Sequence, residues 1–266
     1  MKIVTLIENQ VNSAGLVGEH GLCLYLETDH KKILFDCGQS DAFLRNAKIL
    51  GIDLLEIDTV IISHGHFNHV GGMPAFLDLN SHAKIYIKKE ALYPKYSPGK
   101  KLRAPVVNLK PYEKRFEYVT EVIEVDEGVF IMPEIPITDP VDVNFQKGKV
   151  LANDILQDDE FQDELFVAIT RKNRLSVISG CSHRGITNIL REAKSNFDLP
   201  VKLILGGIHF KEFSAEQYVN ITYYLNKIEP ETIAVCHCTN MQKYADLAGD
   251  CNAKILYNAT GSSIRL

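Results

Sequence analysis

No apolar run in this chain approaches the ~20 residues that a membrane-spanning helix requires, so no membrane partner is expected. The opening stretch Met1-Lys2-Ile3-Val4-Thr5-Leu6-Ile7-Glu8 is too short, and too acidic at its end, for a secretory signal, and it reads as a first strand. Positive charge is also scarce. The 29 Lys and Arg are outnumbered by 34 Asp and Glu, and a net charge of −5 with a pI near 6.0 gives no electrostatic case for nucleic acid. Only six cysteines occur (Cys23, Cys37, Cys181, Cys236, Cys238, Cys251) and nothing points to secretion, so reduced thiols and a cytoplasmic location are expected.

What remains is the composition of an ordinary globular protein, with 45% hydrophobic and 24% charged residues. The pattern alternates strand and helix. Leu22–Glu27 and Lys32–Asp36 read as a hairpin turning at Thr28-Asp29-His30-Lys31. Ser40 or Asp41 starts a helix through Leu50, closed by Gly51. A strand over Asp58–Ser63, a helix over Met73–Leu79 and a strand over Ala83–Ile87 follow. Phe116–Met132 reads as two or three antiparallel strands. In the second half, strands at Leu165–Thr170, Leu175–Ser179, Val201–Leu205, Thr232–Val235 and Lys254–Tyr257 alternate with helices at Gly185–Asn196, Ser214–Lys227 and Met241–Gly249. Strands this apolar are covered on both faces, which implies an α/β protein: an αβ/βα four-layer sandwich of two mixed β-sheets.

The expected organisation is a single domain over residues 1–266 with insertions at about 93–112 and 133–162. The first insertion is rich in proline and carries five Lys/Arg between Lys95 and Lys110, so it reads as a lid or loop whose basic side chains overhang a site. The second contains Asp158-Asp159-Glu160, read as a solvated face or a helix start.

The densest chemistry lies in Ser63-His64-Gly65-His66-Phe67-Asn68-His69-Val70-Gly71-Gly72, three imidazoles directly after an apolar strand. Side chains alternate along extended backbone, so His64 and His66 can face the same side. Neutral imidazole is the commonest ligand of zinc and also suits iron. Other strands end in the same way: Phe35-Asp36-Cys37-Gly38, Gly180-Cys181-Ser182-His183-Arg184-Gly185-Ile186, Gly206-Gly207-Ile208-His209 and His237-Cys238-Thr239-Asn240. Strand carboxyl ends are where open α/β sheets gather ligands. His20, His30 and His82 fall in expected loops away from the other candidate ligands in the sequence and read as surface residues.

These motifs resemble the metallo-β-lactamase superfamily, whose signature is His-x-His-x-Asp-His. Within it they look closest to the branch related to dihydropterin-ribofuranosylaminobenzene-phosphate synthase. The resemblance runs from about residue 3 to residue 261. It implies that His64, His66 and His183 hold a first metal, that His69 and His237 belong to a second, and that Asp36 holds the histidine loop. Zinc is the expected ion, one or two per chain, with manganese or iron as alternatives. Two departures stand out. Asn68 occupies the place of the signature Asp with a neutral amide, and Cys181 stands where many members have a bridging Asp. Cys181 is expected to pack beside the ligands, with ligation as a thiolate the alternative. Asn240 replaces a glycine, a change that its tolerance of left-handed backbone would accommodate.

The function that follows is metal-dependent hydrolysis of an ester, phosphoryl or lactone bond. Catalysis involves His209 as proton donor and Asn68 at the second metal, and Arg184 and the basic insertion favour a small anionic substrate, pterin- or nucleotide-like. Two other readings are a degenerate metal-binding or ligand-sensing protein and a di-iron oxidoreductase, the latter disfavoured by the missing carboxylates. Asn68→Asp should raise occupancy of the second metal and any hydrolytic rate. Elemental analysis of both proteins checks this, and an unchanged metal count would refute it.

Overall fold

The computed structural model describes residues 1–99, 102, 110–211 and 214–266. The expected basic side chains of Lys100, Lys101 and Arg103 therefore lie outside the described residues. The chain forms two compact units, one of Met1–Thr120, Gln146–Asp163 and Ala259–Leu266, the other of Glu121–Phe145 and Glu164–Asn258.

Among the described residues, the first unit contains a mixed seven-stranded sheet. Its strands are β1 (Lys2–Ile7), β2 (Cys23–Glu27), β3 (Lys32–Phe35), β4 (Thr59–Ile61), β5 (Lys84–Ile87), β7 (Phe116–Tyr118) and β17 (Ser263–Arg265), in the order β17-β1-β2-β3-β4-β5-β7. The hairpin expected at Thr28–Lys31 is present, since β2 and β3 pair antiparallel and Thr28 N–H donates to the Lys31 carbonyl. From β3 onward the pairs are parallel. Helices α1 (Ala42–Ile49) and α3 (Met73–Leu79) supply Phe43, Ala47, Phe76 and Leu77 to a core that includes Leu6, Val60, Ile62 and Ile85. Asn46 is buried within α1, donates to the carbonyls of Leu6 and Val17 at 2.7 Å, and so ties the helix to β1. Gly51 ends the helix at φ 70, a left-handed conformation that favours glycine.

The second insertion is less irregular than expected. Strands β10 (Lys149–Ala152) and β11 (Ile155–Asp158) form a hairpin, with β6 (Lys95–Tyr96) on the other side of β10. The turn is Asn153-Asp154, with φ 50 and 63, the positive-φ pair of a two-residue hairpin. The same solution closes the next hairpin at Lys172-Asn173, φ 50 and 56.

The second unit has its own mixed seven-stranded sheet among the described residues. Strands β8 (Ile123–Asp126), β9 (Val129–Met132), β12 (Phe166–Arg171), β13 (Arg174–Ser179), β14 (Val201–Gly206), β15 (Thr232–Val235) and β16 (Lys254–Tyr257) run in the order β16-β15-β14-β13-β12-β9-β8. The first four are antiparallel neighbours, and β13 to β16 are parallel. Helices α4 (Ile186–Asn196), α5 (Ala215–Ile228) and α6 (Met241–Asp250) connect the parallel strands. Alternate strand residues such as Leu175, Val177, Ile233 and Val235 join Ile189, Leu225 and Leu247 of these helices in one core. Ser214 caps α5 as expected, accepting from Gln217 N–H.

Two expectations are corrected. Phe116–Met132 is not one antiparallel set: β7 lies parallel to β5 in the first sheet, a pairing that the long connection from β5 permits, while β8 and β9 form a hairpin in the second. Asn240 is not left-handed. Its φ of −71 and ψ of 166 are extended, and its side chain accepts from Lys243 N–H as the N-cap of α6. Asn240→Ala should therefore cost about 1 kcal/mol, seen as a lower urea midpoint with an unchanged slope. A midpoint equal to that of the parent chain would show that the cap contributes nothing.

Candidate metal centre

In the first unit, β3 ends in Asp36 and β4 runs into Ser63 and His64. The backbone of Asp36 is left-handed, φ 59, while its N–H donates to the Ile61 carbonyl at 2.9 Å. That turn swings a fully buried carboxylate toward the next strand end. Its Oδ1 accepts Ser63 N–H at 2.7 Å, and its Oδ2 accepts Ser63 Oγ at 2.7 Å and His69 Nδ1 at 2.6 Å. His66 sits at the start of the one-turn helix α2 (Phe67–Val70), which places His69 one turn on, beside His64. The ring centroids of His64 and His69 are 4.2 Å apart, and those of His64 and His66 are 4.9 Å apart. The chain can turn back so closely at Gly72 because a Cβ there would lie 2.2 Å from the Cys37 carbonyl oxygen. Asn68 is half-buried on α2, and its backbone carbonyl accepts Leu22 N–H.

In the second unit, β13 ends in the loop Gly180–Gly185. Glu164, buried at the entry to β12, takes the N–H groups of His183 and Arg184 on its two carboxylate oxygens, each at 2.7 Å. Asn144 grips His183 from the other side: its carbonyl faces His183 Nδ1 at 3.1 Å and its N–H donates to the His183 carbonyl at 2.8 Å. The Asn144 side chain also donates to the His209 carbonyl at 3.3 Å. Cys181, His183 and His209 thereby present a sulfur and two imidazoles whose donor atoms lie within 4.8 Å of one another. His237 lies beyond the end of β15, buried, with φ 54. Cys236 and Cys238 flank it beyond the end of the strand, and Cys238 Sγ donates to the Cys181 carbonyl at 3.4 Å. The guanidinium of Arg184 is half-buried, with Nε donating to the Ile135 carbonyl at 3.0 Å.

Hydrogen-bond direction assigns the tautomers. Ser63 Oγ gives its proton to Asp36 and so accepts from Nδ1 of His64, 3.0 Å away. Asp36 and the Asn144 carbonyl are acceptors, so Nδ1 of His69 and of His183 also carry protons. In all three rings the lone pair is then on Nε2. This is the arrangement in which outer partners orient imidazoles for a metal, and the donor set fits a zinc-like ion.

The basic insertion does not supply the charge expected of Lys95. That side chain is 2% exposed and its ammonium is held by Asp159 at 2.9 Å and Asp163 at 2.9 Å. Burial works against the charged amine, yet the two carboxylates outweigh it and hold Lys95 above the usual lysine range. Asp159 is likewise not on a solvated face, although its neighbours Asp158, which ends β11, and Glu160 are exposed as expected. A cavity of about 400 Å³ beside the pair is bordered by Glu90, Asp158, Glu160 and Tyr93, and is acidic. His20, His30 and His82 are exposed, as expected. Glu164 and Asn144 went unnoticed in the sequence because nothing in their spacing marks them; their roles arise from the fold.

The architecture and its histidines define a class, and comparison with known proteins agrees: residues 16–142 match the family model described as metallo-beta-lactamase superfamily. The chain belongs to this superfamily. It is 31% identical to Tm1679, a metal-dependent hydrolase of the β-lactamase superfamily of known structure, covering 100% of this chain and 99% of that one with a TM-score of 0.87. It is 28% identical to the 7,8-dihydropterin-6-methyl-4-(beta-D-ribofuranosyl)-aminobenzene-5'-phosphate synthase of Methanocaldococcus jannaschii, covering 91% of this chain and 88% of that protein. The metallo-beta-lactamase fold protein YhfI of Bacillus subtilis shares the fold at 9% identity, with a TM-score of 0.59 over 99% of each chain.

Burial also perturbs a carboxyl near Asn144. Asp142 is pushed up to about 7 by burial, although Thr187 N–H, 2.7 Å from its Oδ2, pulls the other way. An unfolded Asp titrates near ~4. Between these values the folded state holds a proton that the unfolded chain has released, so stability falls as pH rises from about 4 through about 7. Asp142→Asn keeps an acceptor toward Thr187 and removes the titration. Its thermal midpoint should vary less than that of the parent between about pH 4.5 and about 8; parallel profiles would refute the shift.

Proposed function

We propose that this protein is a metal-dependent hydrolase that cleaves an ester, phosphoryl or lactone bond of a small anionic substrate. The observation that carries the reading is the common tautomer of His64, His69 and His183, each engaged at Nδ1 by a defined acceptor. By the family pattern His64, His66 and His183 would hold the first ion, and His69 and His237 the second, with zinc as the ion and manganese or iron as alternatives. A metal held by three imidazoles with an open position lowers the pKa of bound water to about 7 and supplies hydroxide at neutral pH.

The chain's own residues account for the rest. Asp36 keeps the Nδ1 proton on His69 and fixes Ser63, which in turn orients His64. His209, half-buried next to His183 with ring centroids 4.5 Å apart, donates the proton to the leaving group. Arg184 recognises the anion, since Lys95 is neutralised internally. Asn68, an amide where a carboxylate is usual, makes the second ion the weaker one. Cys181 either packs beside His183 or adds a thiolate. A small phosphorylated substrate is in keeping with the compound named for the synthase that this chain resembles.

Elemental analysis of protein purified without added metal should find one or two ions per chain. Activity on bis(p-nitrophenyl) phosphate or a simple lactone should vanish with a chelator and return with zinc or manganese. His183→Ala should lower metal affinity by more than the roughly 10–100-fold that loss of an outer partner costs. A chain that binds metal but turns over neither substrate would favour the degenerate binding protein, and one that binds no metal would overturn the proposal.

A further inference from the structure

We propose that Asp159, Lys95 and Asp163 form a buried ion triad that positions the His64–His66 loop for metal binding, an inference that rests on the metal-binding reading above. One end of the triad bonds the loop directly, and the other reaches it through the ring of Phe161. Asp163 takes Lys95 Nζ on Oδ1 at 2.9 Å and the Gly65 N–H on Oδ2 at 2.7 Å. Gly65 is the residue between the two candidate ligands, and its opposite side has no room: a Cβ there would lie 2.0 Å from the Ala91 carbonyl oxygen. The backbone linking His64 to His66 is thus clamped between a carboxylate and the backbone of Ala91.

Asp159 acts on the rings. Its Oδ1 accepts Phe161 N–H at 3.0 Å, and Phe161 holds a left-handed backbone, φ 51, which is strained for a bulky residue. In that conformation its ring stands edge-on to His66, with centroids 5.0 Å apart, and 6.1 Å from His64. Lys95 Nζ lies 5.3 Å from the same ring centroid. A buried ion group is a poor choice where only bulk is needed, because apolar residues of similar volume fill space at no desolvation cost. Here the charge does something that volume cannot: it orients two carboxylates so that one oxygen of Asp163 meets the backbone between the ligands and one oxygen of Asp159 meets the backbone of Phe161, whose ring packs on His66.

The test uses the full-length chain with Asp163→Ala and Asp163→Asn, read by amide exchange of Gly65 and by binding of Co²⁺ in competition with a chelator. Asp163→Ala should speed Gly65 exchange by more than about tenfold and weaken Co²⁺ binding by roughly 10–100-fold. Asp163→Asn keeps an acceptor for Gly65 and should lie between that variant and the parent, and it serves if the alanine variant does not fold. Parent-like Gly65 protection and Co²⁺ affinity in a folded variant would overturn the triad's role, even where thermal stability drops. If the parent chain itself binds no Co²⁺, the hydrolase proposal fails, and Gly65 exchange with the His64 and His66 ring resonances still decides the triad's hold on the loop.

Discussion

The carboxylate of Asp36 is the point through which the first unit's chemistry is assembled. It has no solvent exposure, so an ionised carboxylate there must be satisfied from within, and three donors from Ser63 and His69 satisfy it. Those bonds fix the end of β4, the proton on His69 and, through Ser63, the proton on His64. The turn that aims Asp36 requires a left-handed residue at a strand end. The same device recurs at Ser182, φ 58, and His237, φ 54, in the second unit. Each of these residues bears a backbone cost of order 1–3 kcal/mol, and each lies in a motif that ends a strand. At these three positions the strain falls where side chains must leave the sheet at angles that regular strands do not offer.

Much of the architecture was legible in the sequence because its signals are local. The apolar runs before His64, Ser179 and Cys236 are strands, Ser214 caps α5, and Gly51 ends α1. The hairpin at Asn153-Asp154 was also written locally, as two positive-φ residues between Val150-Leu151 and Ile155-Leu156, but it was masked by the acidic run that follows. The separation of β7 from β8 and β9 was not legible. Short strands state that they pair, not with which partner, and the partner is chosen by the wider sheet.

The site divides in the same way. The histidines announced themselves by spacing, and Asp36 by its place before a glycine at a strand end. Lys95 misled because a lysine in a proline-rich, basic stretch looks solvated, whereas β6 carries it inward to two carboxylates far along the chain. Glu164 and Asn144 are invisible for a related reason: one holds backbone N–H groups and the other holds a ring by its own carbonyl, roles that many residue types in many contexts fill. What the sequence displays is the inner ring of chemistry; the parts that aim it are contributed by segments whose only shared property is where the fold delivers them.

The first unit draws on three separated stretches, and its sheet is completed by β17, where Arg265 pairs with Lys2. That pairing has a consequence for synthesis. β1 leaves the ribosome well before the strand that covers its outer edge. Closing so long a loop adds little free energy, because the entropic cost grows only with the logarithm of length. The delay is the larger matter. Until Ser263–Arg265 emerges, a largely apolar strand presents an open edge, the kind of edge on which nascent chains pair wrongly. The histidine loop and Asp36 can come together long before then, so the chemistry of this unit is in place while its sheet is still unfinished.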